Sequence, residues 1–295
     1  MFETNPSLIY DAEDGGLPSS PVPLVLIHDG GGTCFSYWCL NPIARTLYGI
    51  HNPHYHSGKT WSGGIPEMAR HYVALLRRVV PRGPLILGGW SLGGLIALEM
   101  AHVLEQDSLL RVVGIVMVDS ICPRAFKVVS DVPVVPYKQE WGPNTKEETK
   151  ICVERCFDEA RKMVGQYELP VWRPDMPPTD KRDEPQAGES RDDPLLGGRS
   201  STGLGSSVVS GPPPVILLRA MESVPVPENA VGHVDVARDD RLLGWGEYRA
   251  DLVRQVVDIP GHHFNIFAMQ HIDTVSEKLR KACQTLETSA HTGAF

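Results

Sequence analysis

The sequence Gly-Gly-Trp-Ser-Leu-Gly-Gly at residues 88–94 constrains the fold of this 295-residue chain more than any other segment. An apolar run at residues 84–88 predicts a buried strand before it, and helical spacing over residues 92–105 predicts a helix after it. A strand-to-helix turn that projects Ser91 outward strains its backbone, and glycines on either side leave room for the turn. The pattern favours a nucleophilic Ser91 over the alternative, a buried serine in a tight turn.

Strands and helices alternate on both sides of this turn. Apolar runs predict further strands at residues 23–28, 46–50, 112–118, 214–219 and 254–259. Amphipathic spacing predicts further helical segments at residues 35–45, 65–80 and 272–286. The alternation predicts an α/β fold with a mostly parallel central sheet and helices on both of its faces.

Residues 122–213 interrupt this alternation. A helix is predicted at residues 146–166, and the following segment is rich in Pro, Gly, Ser and Asp, a composition that buries little surface. We therefore expect a core in two parts, residues 1–121 and 214–295, with an inserted helical cap (lid) at residues 122–213. The part of the cap at about 171–213 is expected to be mobile, either as a solvated linker or as part of a lid over the substrate.

A serine nucleophile needs a base to take its proton and a carboxylate to orient that base. In this fold the base follows the last strand, where the sequence offers His262 and His263. Asp119 directly follows a predicted strand, at the sheet edge where the carboxyl ends of parallel strands meet. Glu222, after the next predicted strand, is the alternative acid, and Asp235 and Asp239 lie further along the chain. The order serine, acid, histidine is the one that this fold requires.

Two segments offer N–H groups for the negative charge that develops on a reacting carbonyl oxygen. The backbone N–H of Leu92 follows the predicted nucleophile at a helix N-terminus. The glycine run at residues 30–32 follows the first strong strand and makes Gly30 the second candidate, with a flexible turn as the alternative. This run lacks the Gly-Lys-Ser/Thr ending of a phosphate-binding loop. The side chains that we expect to line a substrate pocket here are Trp90, Asp29 and Phe264.

Composition excludes several classes of protein. The 28 basic and 36 acidic residues give a net charge of −8, which argues against a nucleic-acid partner. No apolar run is long enough to predict a membrane span, and the polar N-terminus does not resemble a signal peptide, so we expect a cytoplasmic protein. The six cysteines lack the spacing of zinc ligands, so we expect reduced thiols and no metal.

Together the motifs resemble the thioesterase domains that release products from polyketide and non-ribosomal peptide synthases, which have the α/β-hydrolase fold. The Gly-Gly-Trp-Ser segment at residues 88–91, the Asp-Ser pair at 119–120 and the Gly-Trp pair at 244–245 look most like the release domains of fungal polyketide synthases. The resemblance covers about residues 22–121 and 214–285. The segments that carry it are residues 26–32, 48–50, 88–94, 118–120 and 261–264.

The resemblance implies a site and a substrate. Gly-x-His-Phe matches His263 as the base, these thioesterases carry their acid where Asp119 stands, and Ser91 would take the acyl group. The substrate would be an acyl chain on the phosphopantetheine arm of an acyl carrier protein, and the enzyme itself would need no cofactor. Water would release the chain by hydrolysis, or a hydroxyl of the chain would release it by lactonisation.

The sequence begins with Met and contains no carrier-protein segment. We therefore expect a stand-alone enzyme that acts in trans on the carrier protein of a separate polyketide synthase. The alternatives are a carboxylester hydrolase or lactonase that uses the same triad on small soluble esters, and a non-catalytic binding protein on the same fold. The sequence predicts neither the acyl chain nor the oligomeric state.

Overall fold

A computed structural model describes residues 4–12, 21–127, 132–139, 141–173, 211–293 and 295. Within these residues the strands are β1 (Ser7–Tyr10), β2 (Leu24–Ile27), β3 (Leu47–Ile50), β4 (Gly83–Trp90), β5 (Leu110–Val118), β6 (Val134–Val135), β7 (Val215–Glu222), β8 (Val231–Gly232) and β9 (Val253–His262). The α-helices are α1 (Gly64–Leu76), α2 (Leu92–Val103), α3 (Glu147–Gln166) and α4 (Ile272–Thr292). Among these helices none has both the length and the apolar character needed to cross a bilayer.

Seven strands form one sheet in the order β1-β3-β2-β4-β5-β7-β9. All neighbouring pairs are parallel except β1 and β3, and a separate two-stranded parallel sheet joins β6 to β8. Every residue of β2 is buried, as expected for a strand covered on both faces. The structure thus confirms the predicted α/β fold with a mostly parallel sheet. Because the strands are parallel, their carboxyl ends meet at one edge of the sheet.

The prediction of a helix at residues 35–45 is wrong. The chain forms only a 3-10 helix at Phe35–Cys39 and then continues irregularly. Pro42 gives a physical reason, because the residue before a proline is driven out of the helical region. The edge strand β1 was not predicted, since four residues at a sheet edge carry little pattern. Helix α1 ends four residues before the predicted Val80, and β9 extends three residues beyond the predicted Ile259.

The predicted helix in the cap segment is confirmed, since α3 covers all but the first of residues 146–166. Contacts divide the chain into two compact units, residues 1–170 with 212–295, and residues 171–211. Of the second unit the structure describes only residues 171–173 and 211. The expected mobility of residues 171–213 therefore falls almost wholly outside the described residues, and the division into core and cap stays a prediction.

Helix α2 lies unusually close to the backbone of the sheet. A Cβ atom at Gly93 would lie 2.3 Å from the carbonyl oxygen of Ile27, and one at Gly89 would lie 2.6 Å from the backbone of Gly93. Side chains cannot be accommodated at such distances, so the turn between β4 and α2 requires glycine at both positions. This close packing brings the N-terminus of α2 to the carboxyl edge of the sheet.

Candidate active site

Ser91 occupies the sharp turn between β4 and α2. Its backbone has φ 56° and ψ −117°, a strained conformation for a residue with a side chain. Its N–H donates a hydrogen bond to Val118 at 2.9 Å, and its carbonyl oxygen accepts one from Gly94 at 3.2 Å. The sheet therefore ends and the helix begins at this residue, and the side chain projects from the edge of the sheet as predicted.

The structure brings His263, and not His262, to Ser91. His263 follows β9 directly, after Gly261 with φ 85°, and is 2% exposed. Its Nε2 lies 3.0 Å from Ser91 Oγ, and its Nδ1 lies 2.8 Å from Asp119 Oδ2. His262 points elsewhere, with its ring centroid 5.9 Å from that of Tyr137. The side chains of the two adjacent histidines therefore point in different directions at the end of β9.

Asp119 is the carboxylate at His263, and it is completely buried. It follows β5 with φ 47°, and its Oδ1 accepts a hydrogen bond from Ala220 N at 2.9 Å. Burial opposes its ionisation, but hydrogen bonds from Arg238 and His263 outweigh burial and lower the pKa of Asp119 to about 2. The alternative acid, Glu222, is exposed at the end of β7.

Arg238 completes this cluster, and no motif in the sequence predicts its place there. Its Nη1 donates to Asp119 Oδ1 at 2.6 Å, and its Nη2 donates to Asp119 Oδ2 at 2.8 Å. Asp235 accepts a further hydrogen bond from Arg238 Nε at 3.0 Å. Arg238 lies in irregular chain 119 residues from Asp119 in sequence. The one available signal was the Asp-x-x-Arg spacing, which is common at protein surfaces.

Both predicted oxyanion donors reach the same cavity as Ser91 and His263, since Gly30 and Leu92 are among its lining residues. Leu92 is the first residue of α2, where backbone N–H groups have no acceptor within the helix. Gly30 lies under α3, and a Cβ atom there would lie 3.0 Å from the Phe157 ring. Both residues therefore lie at the cavity wall to which Ser91 also belongs. Their role as oxyanion donors stays a prediction.

The cavity has a volume of about 850 Å³, including its open mouth. Helix α3 contributes four lining residues, Phe157, Ala160, Arg161 and Val164. Apolar side chains form most of the remaining wall, and His233 and Gln139 add polar groups. This combination suits a largely apolar acyl chain.

Of the three side chains predicted to line a pocket, only Phe264 does so. The ring of Trp90 packs behind His263, with 5.7 Å between the two centroids. The carboxylate of Asp29 accepts a hydrogen bond from Gly31 N at 3.0 Å, and the residue lies outside the lining. Trp90 and Asp29 therefore support the walls of the site. Within the described residues, His, Cys, Asp and Glu form no group of three that could hold a metal ion.

A serine–histidine–aspartate chain of hydrogen bonds at the carboxyl edge of a parallel sheet defines the α/β-hydrolase class. A family model described as "Thioesterase domain" matches residues 22–131. The chain is 35% identical to "Probable thioesterase gloN" of Glarea lozoyensis, over 97% of this chain and 99% of that protein. The chain belongs to the thioesterase family, which confirms the predicted resemblance, and it is an enzyme of the serine-hydrolase type.

Two further similarities concern synthases and their domains. The chain is 32% identical to "Nonribosomal peptide synthetase imqB" of Aspergillus flavus, over 98% of this chain and 8% of that much longer protein. The crystal structure of the "NocB thioesterase domain from Nocardicin cluster" superposes with a TM-score of 0.59. At 22% identity, covering 93% of this chain and 97% of the NocB domain, it supports the fold alone.

Proposed function

We propose that this enzyme releases an acyl chain from the phosphopantetheine arm of a carrier protein through an ester on Ser91. The observation that carries the proposal is the 3.0 Å contact between Ser91 Oγ and His263 Nε2 at the wall of the cavity. A hydroxyl this close to a buried imidazole, itself held by a carboxylate, can lose its proton as it attacks. The cavity beside it accepts the acyl chain.

The first half-reaction forms the acyl-enzyme. Ser91 Oγ attacks the thioester carbonyl carbon while His263 takes its proton, and the N–H groups of Gly30 and Leu92 donate to the oxyanion. The carbon–sulfur bond then breaks, and the proton on His263 passes to the departing sulfur. Asp119 holds the imidazole in the tautomer that can do both.

The second half-reaction releases the acyl chain from Ser91. Either water or a hydroxyl of the chain loses its proton to His263 and attacks the ester carbonyl, and Ser91 recovers a proton as its ester bond breaks. Hydrolysis gives an acid and internal attack gives a lactone. The apolar wall of the cavity offers water few hydrogen-bond partners, so we expect lactonisation to compete with hydrolysis for a chain long enough to fold back.

The carrier-protein partner is supported by the synthetase relative. A segment similar to nearly the whole chain occurs within imqB, so a thioesterase of this kind can belong to a synthetase. We propose the acyl carrier protein of a polyketide synthase as the partner, met in trans in the cytoplasm, with no cofactor beyond the carrier's own phosphopantetheine. No nucleic acid or membrane enters this proposal.

Intact-mass spectrometry tests the proposal directly. The enzyme is mixed with a carrier protein loaded with a simple acyl chain, and the mass gain of one acyl group is followed over time. We expect an adduct on the wild type and none on Ser91→Ala. Cys39→Ala is the matched control, because Cys39 is an exposed thiol that a thioester could acylate without catalysis.

The control and a second substrate separate the alternatives. An adduct that disappears in Cys39→Ala but persists in Ser91→Ala contradicts the proposal. A matched soluble ester that is turned over as fast as the carrier-bound thioester favours a carboxylester hydrolase or lactonase instead. A protein that forms no adduct with either substrate favours a binding protein. Product analysis then distinguishes the acid from the lactone.

A further inference from the structure

We propose that Arg238 and Asp235 are a positioning pair for the Asp119 carboxylate. The pair holds the carboxylate in the orientation that His263 needs, and it limits the negative charge that Asp119 presents to His263. The inference rests on the proposed role of Ser91 as nucleophile. It assigns a role to two residues outside the three that meet in hydrogen-bond contact at Ser91.

The guanidinium of Arg238 donates a hydrogen bond to each of the two carboxylate oxygens of Asp119. Nη1 lies 2.6 Å from Oδ1 and Nη2 lies 2.8 Å from Oδ2, so the two groups form a two-point pair. The same Oδ2 is the oxygen that faces His263 Nδ1 at 2.8 Å. With its plane set by Arg238 and its Oδ1 also held by Ala220 N, the carboxylate cannot rotate away from the imidazole.

Asp235 fixes the arginine from the other side. Its Oδ1 accepts from Arg238 Nε at 3.0 Å, and its Oδ2 accepts from Val224 N at 2.7 Å. The chain just before Asp235 packs closely on Val224, since a Cβ atom at Gly232 would lie 2.2 Å from the Val224 side chain. All of these contacts are buried, with side-chain exposures of 8% for Arg238 and 3% for Asp235.

Charge gives the pair its second effect. One cation lies between two buried carboxylates, and although burial opposes its charge, Asp119 and Asp235 raise the pKa of Arg238. Arg238 in turn offsets part of the negative charge of Asp119, and that charge would otherwise stabilise an imidazolium at His263. Without the guanidinium, the carboxylate would present its full negative charge to the imidazole that takes the proton of Ser91.

The other titratable groups around His263 come from different elements. The pKa of His233, in a short 3-10 helix at His233–Asp235, and that of His262 at the end of β9 are both lowered, in each case chiefly by burial. Glu222 and His271 act on His262 from the end of β7 and from the start of α4. Since these groups stay in place when Arg238 is replaced, a shift in the profile reports on the cluster of Asp119, Asp235 and His263.

Arg238 also connects the site to the cavity wall. Its Nη2 lies 3.3 Å from the carbonyl oxygen of Val234, which lines the cavity together with its neighbour His233. The segment that an acyl chain would touch is therefore hydrogen-bonded to the same guanidinium that holds Asp119.

The rate at which a fluorophosphonate labels Ser91 between about pH 5 and pH 9 tests the inference. The rate is normalised to the folded fraction, and it requires no knowledge of the acyl chain. In Arg238→Met we expect the maximal rate to fall about 10- to 100-fold, and the acidic limb of the profile to move up by about one pH unit. Arg238→Lys keeps the charge but not the two-point geometry, so its rate should fall while its acidic limb stays in place.

A matched control separates this effect from the general loss of a surface charge. Arg241→Met removes an exposed arginine that pairs with Asp258, and its profile should match that of the wild type. A normalised rate and acidic limb in Arg238→Met equal to the wild type would overturn the inference. If that variant does not fold, Arg238→Lys decides, and labelling within about twofold of the wild type would overturn it. Failure of the wild type to label, with Ser91→Ala as the blank, contradicts the proposed function itself.

Discussion

The two carboxylate oxygens of Asp119 accept hydrogen bonds from several donors. Oδ2 faces His263 and Arg238, and Oδ1 receives the N–H of Ala220 and the second arm of Arg238. A buried carboxylate with this many donors stays ionised well below neutral pH. The exposed Glu222, the other acid considered from the sequence, lies at the end of β7. The two acids therefore differ in their place along the edge of the sheet, and the one after β5 contacts His263.

Asp119→Asn tests which acid serves His263. An amide at this position can present its NH₂ to the imidazole and favour the wrong tautomer, so we expect kcat on a carrier-bound thioester to fall by about 10³- to 10⁴-fold. Glu222→Gln, the matched control, should stay within about twofold of the wild type. A large loss in Glu222→Gln with little loss in Asp119→Asn would assign the acid to β7.

Single residues of the site differed in how well the sequence predicted them. Ser91 and Asp119 lie at or directly beyond strand ends that the apolar pattern located, and the parallel sheet brings those ends together. The choice between His262 and His263 depended on a family motif, because both are adjacent to the same strand end. Arg238 follows no strand and matches no motif, so local sequence did not reveal its contact with Asp119.

At the scale of elements, the packing of α2 on the sheet determines where Ser91 stands. The helix is separated from β2 by less than the space a methyl group needs, because Cβ at Gly93 would meet two backbone carbonyl oxygens at 2.3 and 2.7 Å. Backbone atoms of a central strand cannot move aside as a flexible side chain can. Gly165, near the end of α3, has no heavy atom within 4 Å of the corresponding Cβ position.

These two glycines give opposite predictions for the same substitution. Gly93→Ala should lower the free energy of unfolding by about 2 to 3 kcal/mol, because the methyl group forces α2 away from β2. Gly165→Ala should raise it by up to about 1 kcal/mol, because alanine favours the helix and meets nothing. Urea unfolding followed by circular dichroism measures both. Equal changes in the two variants would show that contact with the sheet is not what requires Gly93.

Elements buried on both faces were predicted better than those at the margin. The central strands are continuous apolar runs, so their positions follow from the sequence to within a few residues. The segment at residues 35–45 has amphipathic spacing, but Pro42 ends any helix there, and the edge strand β1 is too short to show alternation. Tertiary contacts determine the structure of such segments.

The stability of the whole molecule depends on a buried histidine outside the proposed mechanism. His28 is 1% exposed, with Nδ1 2.6 Å from the carbonyl oxygen of Asp29 and Nε2 2.7 Å from the Tyr72 hydroxyl. Burial lowers the pKa of His28 to about 4, although the contact with Asp29 opposes this. The unfolded chain binds this proton below about pH 6.5 while the folded chain does not. His28 therefore lowers stability as the pH falls from about 6.5 to 4.

His28→Gln removes this contribution. We expect the free energy of unfolding of the wild type to fall by about 3 kcal/mol more than that of the variant between pH 6.5 and pH 4. The carboxyl of Asp29, whose pKa burial raises to about 7, works in the opposite direction and is present in both proteins. Urea titrations at several pH values provide the measurement. His56→Gln, at an exposed position, is the control and should be as pH-dependent as the wild type. If the stability of His28→Gln depends on pH as strongly as that of the wild type, the assignment to His28 is contradicted.

The sequence by itself determined the parallel sheet, the turn at Ser91 and the order of the three residues that meet there. Those features depend on local apolar runs and on glycines where the backbone needs room. The tertiary structure placed His263 at Ser91, as the family motif indicated, and it alone decided that α3 forms a wall of the cavity and that Arg238 holds Asp119. These contacts join segments up to 172 residues apart, and they depend on strand direction and close packing, which no local pattern records.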